Sequence, residues 1–341
     1  MKNVLIVKLS SIGDVIHALP VSYAIKETFP DSRLTWVVEK AAYSLLEDNP
    51  CVDRLIVFKK EEMRSSFGGL WRNFVLLRRE LKAEKYDVSL DLQGLFKSAA
   101  IVSVADAKTK LGTCDMRELS DKVSKRIVGE HKDGHIVERY LDVARAMGCC
   151  VEKVCFPVEV SERNRKIAAM VLERSGFRSG NRYAVLVVGA SWRTKCWDSN
   201  SFAVFADWLY EQKIVPVLAG SGVVEEQAAR EIEHFAEVPP VNVVGKLNLA
   251  QLAYVMRNAA LVVGSDTGPT HLGAGLETKT IMLMGPTKPF RTGAYGQAEN
   301  IIVADRPCRE CMNRICPKGE ECLKAISVDK VKAKAKELLG V

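Results

Sequence analysis

The residues best suited to chemistry lie in the segment Gly264-Ser265-Asp266-Thr267-Gly268-Pro269-Thr270-His271-Leu272. An apolar run at 259–263, typical of a buried strand, precedes it, and a segment of small apolar residues, typical of a closely packed helix, follows. At such a strand-to-helix turn, free N–H groups and the helix dipole favour an anion. Asp266 could orient a hydroxyl or ammonium group there, and His271 could donate to a phosphate. A helix cap with a hydrogen-bonded histidine is the structural alternative.

A second polar turn, Ser10-Ser11-Ile12-Gly13-Asp14, follows the strand-like residues 4–9 near the N-terminus. A carboxylate that projects from such a turn can act as a general base. Asp14 is therefore a candidate base, and its alternative role is to cap the helix that begins there.

The elements that would position these turns repeat along the chain. Strand-like runs occur at 4–9, 34–38, 54–58 and 87–91, and again at 183–188, 214–218, 241–244, 261–263 and 280–284. Strands that alternate with helices predict parallel sheets covered on both faces. We therefore expect an α/β chain of two tandem Rossmann-like domains that face each other across a cleft, with ligands at the carboxyl ends of the strands. The predicted domains are 1–155 and 156–325, and a C-terminal helix in 326–341 is expected to pack back toward the N-terminal domain.

Composition narrows the function classes. The 341 residues include 49 Lys and Arg against 42 Asp and Glu, a net charge of +7. This mild excess, without a nucleic-acid-binding motif, suits an anionic membrane surface or a polyanionic substrate and predicts no nucleic-acid partner. With no signal peptide and no apolar run near the ~18 residues of a membrane span, the sequence predicts a cytoplasmic protein, at most peripheral to a membrane. The first turn lacks the three-glycine fingerprint of a nicotinamide-binding oxidoreductase.

Motifs in both halves, in the same order, resemble those of the lipopolysaccharide heptosyltransferases of glycosyltransferase family 9, most closely the heptosyltransferase I branch. The matching segments are 5–17, 36–39, 91–100, 195–197, Asp266-Thr267-Gly268 with His271, and 285–287. The resemblance implies a glycosyltransferase B-type (GT-B) fold. It also implies inverting, metal-independent transfer of heptose from ADP-L-glycero-D-manno-heptose to the Kdo region of the lipopolysaccharide inner core, on a lipid A–Kdo acceptor. Alternatives are the same fold with another donor or acceptor (a second heptose, or protein) and a non-catalytic nucleotide-binding protein.

The resemblance also implies roles for single residues. Asp14 would deprotonate the acceptor hydroxyl, although its ordinary pKa of about 3.9 requires that the anomeric carbon become cationic at the same time. Lys195 would stabilise the departing diphosphate, and the chain has no Asp-x-Asp pair to carry a divalent metal. The expected donor-binding residues are Ser191, Trp192, Lys195, Glu225 (or its neighbour Glu226), Asp266, Thr267, Gly268 and His271. The expected acceptor-binding residues, which would meet an acidic sugar and phosphorylated lipid A, are Ser11, Gly13, Gln93, Lys97 and Arg117.

Two further segments have open interpretations. The cluster Cys308-x2-Cys311-x4-Cys316-x5-Cys322 suits a structural zinc or iron ion held by four thiolates, with disulfides or free thiols as the alternatives. Residues 68–85 combine apolar and basic residues in a helical pattern. They predict either a surface helix packed on its own sheet, which is favoured, or a helix that rests on the inner leaflet of the membrane.

Overall fold

The computed structural model describes residues 1–59 and 67–341, and for residues 67–74 it describes the backbone alone. It forms two compact units, Met1–Glu159 and Val160–Val341, divided close to the boundary predicted at 155. Each unit contains one parallel six-stranded sheet with helices packed on it, so the predicted α/β fold class is confirmed.

The first unit is built around β1, an apolar strand that is buried almost from end to end. The sheet order is β3-β2-β1-β4-β5-β6. The strands are β1 Asn3–Val7, β2 Arg33–Glu39, β3 Arg54–Phe58, β4 Tyr86–Asp91, β5 Ala107–Gly112 and β6 Lys125–Arg126. The helices are α1 Ile12–Thr28, α2 Lys40–Leu46, α3 Phe67–Lys82, α4 Phe96–Val104 and α5 Ile136–Ala146. Because Val7 pairs with Asp91, the turns after β1 and β4 leave the sheet side by side.

The predicted basic helix corresponds to α3. Its Leu77 and Leu81 are buried in a core cluster with residues of β1 and β2, while Val75 and Leu76 are exposed. The part of the helix whose side chains are described therefore packs on its own sheet, as favoured. The alternative of a helix on the membrane rested on seven residues. Of these, Val75, Arg78, Arg79 and Lys82 are exposed, and the side chains of Trp71, Arg72 and Phe74 lie outside the described ones.

The second unit repeats this architecture, with the sheet order β12-β11-β10-β7-β8-β9. Its strands are β7 Tyr183–Val187, β8 Val215–Ala219, β9 Val241–Asn242, β10 Leu261–Ser265, β11 Thr280–Met284 and β12 Ile301–Val303. Its helices are α6 Glu162–Arg174, α7 Ser199–Glu211, α8 Val223–Phe235, α9 Leu249–Arg257, α10 Gly268–Gly275, α11 Pro289–Thr292 and α12 Val328–Leu339. The central strands β7, β10 and β11 are buried at every position, as expected for a parallel sheet covered on both faces.

The C-terminal helix packs on the core of the second unit. The buried residues of α12 are Val331, Ala335 and Leu339, and all three belong to the core of the second unit, alongside residues of α7. Burial of this apolar stripe fixes the helix on the second unit. Within the described residues, no helix has both the length and the apolar character needed to cross a bilayer.

Candidate active site

The candidate donor residues lie at one edge of the second sheet. Strands β10, β7 and β8 are consecutive neighbours in that sheet and run parallel. The turns that follow them therefore leave the sheet at the same edge. These turns carry Asp266 after β10, Lys195 after β7 and Glu225 after β8. Parallel pairing thus gathers residues that lie far apart in the sequence.

The centre of this edge is a three-residue charge cluster. Lys195 Nζ donates to Asp266 Oδ2 at 2.8 Å and to the backbone carbonyl of Asp266 at 3.0 Å. His271 Nε2 donates to the other carboxylate oxygen, Oδ1, at 2.8 Å. The side chains of Asp266 and His271 are almost fully buried, and that of Lys195 is 14% exposed. A lysine ammonium is thus held at the edge with a small part of its surface open.

The neighbours of Asp266 determine its protonation state. Burial alone would raise the pKa of this carboxyl. The hydrogen bond from His271 and the charge of Lys195 outweigh burial, and together they hold the pKa of Asp266 well below its ordinary value. Asp266 is therefore ionised at neutral pH, and its charge fixes the positions of both Lys195 and His271.

The turn after β10 opens directly into α10, with Thr267 as the N-cap. Gly268 is the first helical residue, and its N–H group has no intrahelical acceptor. The helix lies very close to the sheet at Gly264. A Cβ on that residue would be only 2.5 Å from Thr270 Oγ1 and 2.7 Å from Val187 Cβ. The close approach brings the positive end of α10 to the same edge as Lys195, which gives the turn the means to bind an anion.

Trp192 lies beside the lysine. Lys195 Nζ is 4.6 Å from the centroid of the Trp192 ring, a cation–π distance. The guanidinium carbon of Arg314 is 5.2 Å from the same ring. Ser191 is exposed on the same turn. Ser191 is therefore accessible to a ligand, and the Trp192 ring packs against the ammonium group of Lys195.

Glu225 and Glu226 differ in their surroundings. Glu225 is the third residue of α8 and is half-buried among three glycines: a Cβ on Gly189, Gly220 or Gly222 would lie 2.8, 2.9 or 2.7 Å from its side chain. Burial raises the pKa of Glu225, and the neighbouring charge of Glu226 adds to the rise. Glu226 is exposed. Of the two, Glu225 is the one that the strand-end turns enclose.

In the first unit, Asp14 is half-buried at the start of α1. Its Oδ2 accepts hydrogen bonds from the backbone N–H of Ser11 at 3.1 Å and from Ser11 Oγ at 2.8 Å. The carboxylate therefore has the helix-capping role that the sequence left open. A capping carboxylate keeps further lone pairs, so this role leaves Asp14 able to accept a proton.

The predicted acceptor residues Gln93 and Lys97 meet at the turn after β1. Gln93 Oε1 accepts hydrogen bonds from the backbone N–H groups of Leu9 and Ser10, both at 3.1 Å. Lys97 Nζ donates to Glu39 Oε1 at 2.8 Å and to Ser10 Oγ at 3.1 Å. These contacts fix the loop that ends at Ser11, and Gly13 follows in the first turn of α1.

Arg117 is less closely tied to that turn. Its backbone N–H donates to the carbonyl of Gly94 at 2.8 Å, which connects its loop to the turn after β4. Its side chain is exposed.

Comparison with known proteins identifies the family. The family model for glycosyltransferase family 9 (heptosyltransferase) matches residues 74–321. Lipopolysaccharide heptosyltransferase 1 of Pseudomonas aeruginosa is 32% identical over 331 residues, covering 92% of this chain and 87% of that protein. The chain belongs to glycosyltransferase family 9.

Solved structures agree with this assignment. The Escherichia coli heptosyltransferase WaaC with ADP has a TM-score of 0.77 and 28% identity, covering 98% of this chain and 99% of that one. A family 9 glycosyltransferase from Veillonella parvula has a TM-score of 0.86 at 24% identity, covering 99% and 97%, and this likeness concerns the fold. The curated relatives include heptosyltransferases numbered 1, 2 and 3. The chain is thus a glycosyltransferase with the GT-B fold.

Sequence reasoning missed a buried network in this glycosyltransferase. Lys8, just after β1, is 2% exposed, and its Nζ donates to the hydroxyl of Tyr140 at 2.9 Å. Burial lowers the pKa of Lys8, while the carboxylates of Asp14 and Asp91 act to raise it. The sequence did contain a signal for this network, since a single lysine follows an apolar strand. A lysine in such a place is buried only if it has a polar partner.

Asp91 is the second missed member of this network. It is fully buried, and its Oδ1 accepts from the backbone N–H groups of Gly94 at 2.8 Å and Gln93 at 3.1 Å. Burial raises the pKa of Asp91, against these hydrogen bonds and the charge of Lys8. Asp91 therefore fixes the turn that carries Gln93, a predicted acceptor residue, from inside the core.

The four C-terminal cysteines of this glycosyltransferase line one small cavity, together with Thr194, Pro286, Arg306 and Glu320. All ten cysteines of the chain are free thiols, so the disulfide alternative is absent from this structure. In the described part of the chain, no three His, Cys, Asp or Glu side chains are arranged to hold a metal ion. Burial raises the pKa of the Cys322 thiol, and the neighbouring thiols add to this rise.

Proposed function

We propose that this family 9 glycosyltransferase transfers heptose from ADP-L-glycero-D-manno-heptose to the Kdo region of the lipopolysaccharide inner core. The observation that carries this proposal is the cluster of Lys195, Asp266 and His271 beside the start of α10. A diphosphate leaving group needs fixed positive charge and N–H donors. This cluster offers both without a metal ion, and the P. aeruginosa relative is named as a lipopolysaccharide heptosyltransferase.

In the proposed reaction, the acceptor hydroxyl attacks the anomeric carbon of the donor in a single displacement that inverts its configuration. Asp14 accepts the hydroxyl proton as the new C–O bond forms and the bond to the diphosphate breaks. Lys195 and the N–H groups of Thr267 and Gly268 take up the charge that develops on the departing ADP. His271 donates to a phosphate oxygen or holds Asp266 in place, Glu225 and Ser191 contact the nucleotide, and Trp192 supports Lys195.

The acceptor is proposed to bind the first unit, near Ser11, Gly13, Gln93, Lys97 and Arg117. The lysine and arginine suit the carboxylate of Kdo and the phosphates of lipid A. Since lipid A is a membrane lipid, the enzyme would act at the inner leaflet of the cytoplasmic membrane. A second candidate acceptor is a core that already carries one heptose, because relatives numbered 2 and 3 also match the chain.

The deciding experiment measures ADP release from ADP-heptose with no acceptor, with Kdo-lipid A and with heptosyl-Kdo-lipid A. We expect release that depends on Kdo-lipid A and falls about 10²–10⁴-fold in Asp14→Asn, since the base is lost and the side-chain size is kept. Asp31→Asn is the matched control, because it makes the same substitution at an exposed carboxylate of the first unit that lies outside the proposed site. Dependence on heptosyl-Kdo-lipid A alone would favour the second acceptor, and donor binding without release on either lipid would contradict the proposal.

A further inference from the structure

A further cation lies beside the lysine that is proposed to bind the donor diphosphate. We propose that the guanidinium of Arg314 is a second ligand of this diphosphate and binds its oxygens together with Lys195. The inference deepens the proposed function by adding a residue to the same site, and it rests on that function for the identity of the donor.

The candidate site needs more positive charge than Lys195 supplies. Two of the N–H donors of its ammonium are directed to Asp266, one to the carboxylate at 2.8 Å and one to the backbone carbonyl at 3.0 Å. Because Asp266 is ionised, the lysine and this carboxylate together carry no net charge. A bound sugar diphosphate has one negative charge on each phosphate, and a further charge develops on the departing ADP as the bond to the sugar breaks. A second cation at this edge would stabilise that charge.

Arg314 lies against the same aromatic ring as Lys195. Its guanidinium carbon is 5.2 Å from the centroid of the Trp192 ring, and Lys195 Nζ is 4.6 Å from that centroid. A guanidinium presents a planar fork of N–H donors that can bind two phosphate oxygens at once, whereas an ammonium acts as a point charge. The structure thus holds a group suited to phosphate beside the lysine whose charge Asp266 balances.

The backbone around Arg314 is fixed to the sheet edge at two points. The hydroxyl of Thr194, a residue that is 3% exposed, donates to the carbonyl of Asn313 at 2.7 Å and lies 3.3 Å from that of Arg314. The backbone N–H of Met312 donates to the carbonyl of Pro286 at 2.8 Å. These two contacts reach the turns after β7 and β11, which are the two neighbours of β10 in the sheet. The segment is therefore held beside the end of the strand that leads into the charge cluster.

The charge of Arg314 is available to a ligand. Two acidic residues of the same segment, Glu320 and Glu321, pair with Arg306 at 2.7 Å and with Arg193 at 3.7 Å, and within the described residues no carboxylate pairs with Arg314. The Arg314 side chain is exposed, so an anion can reach it. No ion pair has to break before this guanidinium binds a phosphate.

The test compares nucleotide binding to the full native chain and to Arg314→Gln by isothermal titration calorimetry. Arg309→Gln is the matched control, because it makes the same substitution at another exposed arginine of the segment. We expect the Kd for ADP to rise about 10- to 100-fold in Arg314→Gln, as for a lost charged hydrogen bond, and to stay unchanged in Arg309→Gln. Adenosine, which has no phosphate, should bind equally to the native chain and to Arg314→Gln, as measured by ligand-observed NMR.

Four results would overturn this role of Arg314. They are a native chain that does not bind ADP, an unchanged Kd for ADP in Arg314→Gln, an equal rise of that Kd in Arg309→Gln, and an equal loss of affinity for ADP and for adenosine. The last result would show that the substitution alters the shape of the nucleotide site rather than a contact with phosphate.

The ADP-release assay separates this role from the proposed function. Arg314→Gln should lower kcat/KM for ADP-heptose about tenfold or more, because less of the charge on the departing ADP is stabilised, and an unchanged kcat/KM would contradict a role in transfer. If the native protein binds ADP but releases none with Kdo-lipid A or heptosyl-Kdo-lipid A, the proposed function fails. The ADP titrations still decide in that case whether Arg314 binds the diphosphate.

Discussion

Replacing Lys195 by methionine tests the ion pair that dominates the candidate active site. Lys195 Nζ lies 2.8 Å from Asp266 Oδ2, and the two side chains are 14% and 4% exposed. Methionine keeps most of the apolar stem of lysine and removes its charge. The variant therefore leaves the ionised Asp266 buried, with His271 as its remaining side-chain partner.

The size of the effect follows from this geometry. Removing one partner of a buried ion pair lowers the free energy of unfolding by about 3–5 kcal/mol, because the other charge stays desolvated. We expect the lower value, about 3 kcal/mol, since His271 still donates to Asp266 and Lys195 is partly exposed. For a unit of about 180 residues each kcal/mol shifts Tm by about 2–4 °C, so Tm should fall by about 6–12 °C.

The effect of Lys195→Met on Tm should also depend on pH, in a direction that follows from the pKa of Asp266. Because the pKa of Asp266 is depressed in the folded chain, its ionised form stabilises the protein above the unfolded pKa of about 3.9. That contribution is lost as the pH falls toward the depressed pKa. The difference in Tm between the native protein and Lys195→Met should therefore be full at pH 7 and narrow below about pH 4.

The assay is differential scanning calorimetry on four proteins: native, Lys195→Met, Asp266→Asn and the double variant. If the pair is coupled, the double variant should lose less stability than the sum of the single variants, by about 1.5–3 kcal/mol. Two results would refute the reasoning: a Tm of Lys195→Met equal to that of the native protein, or single effects that simply add.

Three further predictions concern other parts of the two units. Glu225→Gln should raise the KM for ADP-heptose about 10-fold or more, because the hydrogen bond proposed between the nucleotide and the charged carboxylate would be lost, whereas Glu226→Gln, at an exposed neighbour, should leave the KM unchanged in the same steady-state assay. Burial raises the pKa of Asp91, so native stability should fall as pH rises through that pKa; Asp91→Asn should flatten this part of the curve of unfolding free energy against pH. Gly264→Ala should lower the free energy of unfolding by about 1–3 kcal/mol, measured by urea denaturation, because its methyl group has no room between α10 and the sheet.

The sequence allowed much of the fold to be predicted because local pattern and tertiary environment agree there. The continuous apolar runs at 183–188 and 261–263 predict buried parallel strands, and the structure contains β7 and β10 at those positions. The polar strand β5 was not predicted, because its residues become a strand only by pairing with β4 and β6. The C-terminal helix was predicted as a helix, but the surface on which it packs depends on the core of the second unit.

The candidate site shows the same division. Motif order was sufficient to identify the family and to name Asp266, His271 and Lys195 as members of one site. Which carboxylate oxygen of Asp266 contacts Lys195 and which contacts His271 could not be read from the sequence. The sequence left Glu225 and Glu226 as alternatives, and the glycines that enclose Glu225 come from the ends of two separate strands. These details depend on how closely the ends of separate strands approach one another in the folded chain.

The sequence by itself determined the repeated α/β pattern, the strand-end turns and the chemical types of residue at them, because these follow from local periodicity and from residue chemistry. The tertiary structure alone decided that Lys8 and Asp91 are buried beside the candidate base, that four thiols line one cavity, and that Thr194 joins that cavity to Lys195. The physical reason is that burial and contact between distant segments depend on which strands pair, and pairing is a property of the whole sheet rather than of any single segment.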